Sequence, residues 1–170
     1  MCGWYARSSS RSPPTCHLET DSLRPARCRH GHAAADVALA LRLPDDGTAV
    51  RRRRILLHNS APVEVSTSYY PADPVAGAPL AHRSKVPKSA PAVLLRLGMP
   101  ERRFIDRVSA RQPTGEEIVL LTLPGGLPVL RQLRTILADD DHPVEVSVLI
   151  QGAHPYELQY RQDVPKGLGP

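Results

Sequence analysis

The chain has 170 residues, a formal net charge of +5 and three cysteines, Cys2, Cys16 and Cys28. Its length suits one domain with its own core, and it lacks the run of about eighteen apolar residues that predicts a membrane span. The absence of such a run predicts a soluble, cytoplasmic protein. The odd cysteine count argues against a disulfide framework, and the spacing of cysteine and histidine does not match a zinc site, so we expect no metal or cofactor. So mild a positive charge does not predict nucleic-acid binding.

The sequence Pro-Val-Glu-Val-Ser occurs twice, at residues 62–66 and 143–147. The similarity extends further at an offset of 80 to 81 residues, since Leu43-Pro44 recurs as Leu123-Pro124. Such a repeat indicates that one supersecondary unit is used twice. We therefore predict a single pseudo-symmetric domain.

In chain order, residues 1–32 lack hydrophobic periodicity and are rich in Ser, Arg, Pro and Cys, which predicts a disordered or vestigial segment. The first unit then reads as a helix, two strands of a hairpin and a proline-rich loop, over residues 33–43, 48–58, 62–70 and 71–88. The repeat places an opening strand near residues 24–31, but no alternation of apolar and polar residues occurs there. We therefore expect that the first unit has lost this strand and that its sheet edge is unpaired.

The second unit is predicted in full, after a short helix over residues 90–97. Its strand, helix, strand and strand are assigned to residues 102–111, 115–121, 127–138 and 143–151, with one more short strand within 155–161. Thr114 and Glu117 have the spacing of a capping box. The prediction is an α+β fold: an antiparallel sheet of five to six strands built from two strand–helix–strand–strand repeats, with helices on one side and a disordered tail at 163–170.

Three segments together carry a family resemblance: Asp36 to Pro44, Val50 to Leu57, and Pro62 to Pro71 (PVEVSTSYYP). They resemble the UTRA domain, the ligand-binding domain of HutC-type GntR transcription regulators, and the resemblance covers residues 33–162. It implies a chorismate-lyase-like sheet, a small effector such as a phosphorylated sugar or small acid, and dimer contacts.

Regulators of this family also carry an amino-terminal winged helix-turn-helix. Residues 1–32 are too short and too rich in helix breakers to form that unit. We therefore expect DNA binding only through a missing or separate domain.

The run from Arg51 to Arg54 is the densest charge in the chain. Because side chains alternate between the two faces of a strand, Arg52 and Arg54 share one face, where two guanidiniums suit a phosphate or carboxylate. A solvated surface with cross-strand partners in Glu64 or Glu145 explains the run equally well, and a nucleic-acid patch is a third interpretation.

Hydroxyl side chains alternate in the same way on the returning strand, and the resemblance adds polar contacts from the second repeat. The predicted effector-binding residues are Arg52, Arg54, Ser66, Ser68, Tyr70, Arg134, Glu145, Ser147 and Tyr156.

The resemblance implies that the domain senses a small anionic metabolite in a dimeric regulator of transcription. One alternative is a chorismate-lyase-like enzyme in which Arg54 and Glu145 surround the substrate. The other is a non-functional remnant that lacks its first strand. Since no nucleophile–base pair is evident in the sequence, we expect no catalytic residues.

Overall fold

The computed structural model of the chain describes residues 5–6, 27–82, 86, 89–152 and 156–157, with side chains for residues 31–82, 86 and 89–152. Strands and short helices alternate along this part of the chain. They are β1 (Tyr5–Ala6), β2 (Arg27–Gly31), α1 (Ala35–Ala40), β3 (Ala49–His58), β4 (Ala61–Pro71), α2 (Ala90–Arg96), β5 (Arg103–Arg111), α3 (Gly115–Leu121), β6 (Val129–Leu137), β7 (Pro143–Gly152) and β8 (Tyr156–Glu157).

Six strands form one antiparallel sheet in the order β2-β3-β4-β7-β6-β5. Its centre is the β4–β7 pair, where Thr67 lies opposite Val148. These two residues are also 81 positions apart, as are the two copies of Pro-Val-Glu-Val-Ser. The sheet therefore has an approximate twofold axis between Thr67 and Val148, which confirms the predicted fold class and its duplication. The predicted last strand is limited to β8, which pairs with β1 in a separate sheet.

The turns of both hairpins contain two adjacent residues with positive φ. Asn59 and Ser60 have φ values of 49° and 65°, and Asp140 and Asp141 have 55° and 57°. Left-handed conformations at two adjacent turn residues match the right-handed twist of the flanking strands. Each hairpin also has a register shift at the end of its first strand, after Leu56 in one copy and after Ile136 in the other.

The expected loss of the first opening strand is wrong. Arg27–Gly31 forms β2 and pairs antiparallel with β3 over all five residues. This strand is the last one on its side of the sheet, where main-chain hydrogen bonds are enough to add a strand. Apolar alternation is therefore not required there, and its absence misled the prediction. The strand also lies inside the segment 1–32, for which no structure was expected.

The expectation that all helices lie on one side is also incorrect. Val37 and Leu41, from and just after α1, pack against Leu133 and Val146, and α3 covers the same face. Because successive strand residues face opposite ways, Val50 and Tyr70 lie on the other face, where Leu94 of α2 joins them. The helix α2 and the loop after β4 therefore cover one end of the second face.

The predicted capping box is confirmed at the start of α3. The Thr114 hydroxyl oxygen accepts a hydrogen bond from the Glu117 amide at 3.3 Å, and the Glu117 carboxylate accepts one from the Thr114 amide at 2.8 Å. This satisfies two amides that the first turn of a helix leaves unpaired.

Candidate functional site

The sheet face that α1 and α3 leave uncovered carries polar side chains from β3 to β6. The strand registers place them in rows across the sheet, and we name this surface the polar face. One row contains Arg54, Ser66, Leu149 and Gln132 in the order β3, β4, β7 and β6. The neighbouring row contains Arg52, Ser68, Ser147 and Arg134.

This face holds almost all of the buried polar side chains in the described part of the chain. Glu117 of α3 is the exception. The others are Glu64, Ser66, Ser68, Gln132, Glu145, Ser147 and Gln151. Since a buried polar group destabilises a fold unless it is hydrogen-bonded, a polar layer of this kind indicates a binding site more than a structural core.

A hydrogen-bonded chain of side chains crosses from β4 to β7. Ser147 donates to Glu145 at 2.6 Å, and the hydroxyls of Ser68 and Ser147 are 2.8 Å apart. Because a serine hydroxyl has one proton, Ser68 is the donor to Ser147. Burial, followed by the negative charge of Glu145, raises the pKa of Tyr70 well above its ordinary range. The predicted residues Ser68, Tyr70, Glu145 and Ser147 are thus brought together.

A second carboxylate lies at the other end of β4. Glu64 is only 7% exposed, and its carboxylate accepts a hydrogen bond from the Gln151 amide at 2.6 Å. Burial raises the pKa of Glu64, and the hydrogen bond from Gln151 and the charges of Arg54 and Arg134 only partly oppose this. The pKa of Glu101, at the edge of the polar face, is likewise raised by burial and by Glu145.

Arg52 fastens the loop that follows β4. Its guanidinium donates to the main-chain oxygens of Leu80 and His82, at 3.1 and 2.5 Å. Leu80 is itself fully buried in the cluster beneath α2. Arg52 therefore positions the loop over the sheet, a role that the sequence did not indicate.

Arg54 differs from its neighbours because it is exposed and no hydrogen bond or ion pair involves its guanidinium within the described residues. Ser66, directly opposite on β4, is 1% exposed, and its hydroxyl oxygen is buried without a hydrogen-bond partner. A cation and a hydroxyl, both able to donate, therefore lie side by side.

Arg134 is held within the protein. It donates to both carboxylate oxygens of Asp106 on β5, each at 2.8 Å, and its guanidinium lies 4.3 Å from the ring centre of Phe104. The structure therefore places Arg134 on the predicted face but already bound in a two-pronged ion pair.

The arginine run divides between the two faces, as alternation predicts. Arg53 points to the helix-covered face and forms an ion pair with Glu116 of α3 at 2.6 Å. This division does not fit a continuous nucleic-acid patch. The expected partners Glu64 and Glu145 instead accept hydrogen bonds from Gln151 and Ser147.

The predicted site residue Tyr156 has a side chain that lies outside the described residues, and only the pairing of its main chain with Ala6 is known.

The enzyme alternative requires Arg54 and Glu145 to surround a substrate. These two residues share the polar face but lie in rows separated by the row of Ser68. They do not surround a common point closely.

Sequence reasoning missed three residues of the site: Glu64, Gln132 and Gln151. The repeat contained a signal for two of them, since Glu64 is the copy of Glu145 and Gln132 is the copy of Arg52. Gln132 is 1% exposed, and both polar atoms of its amide lack a hydrogen-bond partner in the described structure.

No helix in the described ranges is long and apolar enough to cross a membrane. Those ranges also contain no group of His, Cys, Asp and Glu side chains arranged to hold a metal ion.

Comparison with solved structures shows the same fold in regulator domains. The ligand-binding domain of a Bordetella bronchiseptica protein assigned to the GntR family of transcriptional regulators is 26% identical, with a TM-score of 0.70 over 84% of this chain and 90% of that one. The effector domain of PhnF from Mycobacterium smegmatis is 18% identical, with a TM-score of 0.72 over 84% of this chain and 87% of that one.

Sequence comparison gives the family. An uncharacterized HTH-type transcriptional regulator of Streptomyces coelicolor is 29% identical over 136 residues, which are 78% of this chain and 51% of that protein. The chain thus spans about half the length of this curated relative. The model of the UTRA domain matches residues 26–155, including β2. The chain therefore belongs to the UTRA domain family.

Proposed function

We propose that this domain binds a small anionic molecule on the polar face and that binding regulates DNA-templated transcription through a DNA-binding module outside the matched residues. The names of the relatives support a regulatory role, since they are an HTH-type regulator and a ligand-binding domain assigned to the GntR family. In such a mechanism the effector binds one conformation of the protein more tightly than another and so changes their populations.

The observation that carries the proposal is the Arg54–Ser66 pair. Arg54 is an exposed cation, and Ser66 is a buried hydroxyl without a partner. A phosphate or carboxylate accepts hydrogen bonds from both groups at once, and charge-assisted hydrogen bonds to arginine are about twice as strong as neutral ones. A bound anion would therefore accept a hydrogen bond from the buried Ser66 hydroxyl and pair with the exposed Arg54 cation.

A matched pair of variants tests this assignment. Arg54→Ala removes the cation of the polar face, whereas Arg53→Ala removes the adjacent cation that points to α3. We expect inorganic phosphate, glucose 6-phosphate or succinate to raise the melting temperature of the wild type and of Arg53→Ala saturably. In Arg54→Ala the affinity should fall about 10- to 100-fold, because a hydrogen bond to a charged group contributes about 1.5–3 kcal/mol. Equal affinities in both variants would contradict the assignment.

We also propose that two copies of the chain associate through β5, the outermost strand on its side of the sheet. Phe104, Ile105 and Val108 of this strand are 44%, 52% and 36% exposed. An edge strand with exposed apolar side chains and unpaired main-chain groups is suited to pair with another strand. A second copy of the same edge would supply one.

A further inference from the structure

Gln132 faces the polar side of the sheet although nothing in the described structure binds its amide. Its neighbours point the other way: Arg131 pairs with Asp36 of α1, and Leu133 packs in the cluster beneath α1. Alternation along β6 therefore directs Gln132 to the same face as Arg134. The residue is 1% exposed, and both the nitrogen and the oxygen of its amide lack partners.

This arrangement is unfavourable for folding alone. Nearly all buried polar side chains in native proteins are hydrogen-bonded, and a leucine of similar volume would fill this position without leaving polar atoms unsatisfied. Nor does Gln132 share the role of its repeat equivalent, since Arg52 donates to the loop carbonyls of Leu80 and His82. An unsatisfied, buried amide on a binding face indicates that a ligand supplies its partners.

The register shows what such a ligand must span. Arg54, Ser66, Leu149 and Gln132 occupy one row over four adjacent strands. At about 4.8 Å between strands, the Cα atoms of Arg54 and Gln132 are roughly 14 Å apart. Leu149, between them, is apolar and only partly buried. The row therefore offers donors at one end, an apolar middle, and both a donor and an acceptor at the other end.

We propose that the effector is an elongated molecule with an anionic group at the Arg54–Ser66 end and a carboxamide, or another group with adjacent donor and acceptor, at Gln132. An amide of the ligand would donate to the Gln132 oxygen and accept from its nitrogen, the complementary arrangement for a glutamine side chain. This inference rests on the proposed function, because it assigns the far end of the same ligand. Gln132 then determines specificity, whereas Arg54 determines affinity for anions.

Matched probe molecules distinguish the contributions of the two ends of the ligand to binding. Succinamate, glutaramate and adipamate carry a carboxylate and a terminal carboxamide at increasing separation. For adipamate, 6-methylheptanoate replaces the carboxamide with a branched hydrocarbon group of nearly the same shape. Calorimetric titration of the full chain should give at least a tenfold preference for the best amide probe over its hydrocarbon counterpart. In Gln132→Leu this preference should disappear, while the hydrocarbon acid binds as it does to the wild type.

The controls make each result decisive. Gln112→Leu replaces an exposed glutamine outside the site and should keep the preference. Gln132→Leu should unfold at the same temperature as the wild type or higher; a lower temperature would show that the amide is hydrogen-bonded within the protein and overturn the inference. Three other results would also overturn the inference. They are equal binding of the two acids to the wild type, a parallel loss of binding of both acids in Gln132→Leu, and binding of phosphate without binding of any amide probe. Absence of all Arg54-dependent anion binding would instead overturn the proposed function.

Discussion

Ser68 of the first repeat and Ser147 of the second are hydrogen-bonded across the β4–β7 pair, with their hydroxyl oxygens 2.8 Å apart. Ser147 in turn donates to Glu145, so a serine from one repeat supports a carboxylate of the other. The buried layer of the polar face is therefore shared by both repeats. Neither repeat alone contains the whole chain of hydrogen bonds.

This relationship predicts the effect of removing its middle member. Ser147→Ala removes the hydrogen bond to the buried Glu145 carboxylate and the hydrogen bond from the Ser68 hydroxyl. The free energy of unfolding should therefore fall by about 1–3 kcal/mol. Urea denaturation gives this value directly. Ser109→Ala, at an exposed position on β5, is the control and should change it by less than about 0.5 kcal/mol. Equal effects of the two substitutions would show that the buried hydrogen bonds do not stabilise the fold.

The raised pKa of Glu64 predicts a particular dependence of stability on pH. Because burial raises this pKa above its ordinary value of 4.5, the native state holds a proton at pH values where the unfolded chain has lost it. The free energy of unfolding of the wild type should therefore decrease as the pH rises from 4.5 through the raised pKa. Glu64→Gln lacks this decrease, so it should be the more stable protein at neutral pH and lose that advantage below pH 4.5.

Glu117→Gln should change the pH dependence of the free energy of unfolding in the opposite direction in the same experiment. The hydrogen bond from Arg111 lowers the pKa of Glu117, so its contribution is present above pH 4.5 and is lost as the pH falls through the lowered pKa. This variant should be about 1 kcal/mol less stable than the wild type at neutral pH, since Arg111 is partly exposed. Chemical denaturation at several pH values measures both differences, and parallel pH profiles for the two variants would contradict the argument.

The fold was predictable wherever local pattern and repeat agreed. Both hairpins follow from turn residues that accept positive φ and from the repeated Pro-Val-Glu-Val-Ser. The strand β2 was not predictable, because its pairing with β3 uses main-chain groups that every residue has. The position of α2 was not predictable either, since an apolar stripe on a short helix does not indicate which face of a sheet it covers.

The site was predictable as a face but not as a set of contacts. Alternation grouped Arg54 with Arg52 and Ser66 with Ser68, and the family resemblance added Ser147. It did not reveal that Arg134 is bound to Asp106, because β5 and β6 are paired at a register that the sequence does not state. Nor did it identify Gln132, because a buried glutamine and a solvated one look alike in sequence.

Two ion pairs on the helix-covered face join the repeats. Arg131 of β6 contacts Asp36 of α1, and Arg53 of β3 contacts Glu116 of α3, at 2.5 and 2.6 Å. A double-mutant cycle with alanine at Arg131 and Asp36 should give a coupling energy of about 0.5–1 kcal/mol, because both side chains are partly shielded from water. The more exposed Arg102–Asp139 pair, whose side chains are 58% and 64% exposed, is the reference and should give a smaller value. The same coupling in both cycles would contradict a role in joining the repeats.

Gly47, in the turn before β3, has no room for a side chain. A Cβ atom there would lie 2.8 Å from Cδ and 2.9 Å from the main-chain oxygen of Pro44. Gly47→Ala should therefore lower the free energy of unfolding by about 1–3 kcal/mol, as overpacking does. Gly125→Ala, in the corresponding turn of the second repeat, meets no atom within 4 Å and should be neutral or slightly stabilising. Thermal unfolding distinguishes them, and equal melting temperatures would refute the steric argument.

The exposed strand β5 gives a test of the proposed association between two copies. Ile105→Lys places a charge in the middle of this edge, and lysine at a sheet edge disfavours pairing with another strand. The dissociation constant of the dimer, measured by analytical ultracentrifugation, should therefore rise at least tenfold. Val119→Lys alters an apolar residue on α3 that is 77% exposed, and it should leave the dissociation constant unchanged. A dimer that is weakened by Val119→Lys and not by Ile105→Lys would place the interface on the helical face instead.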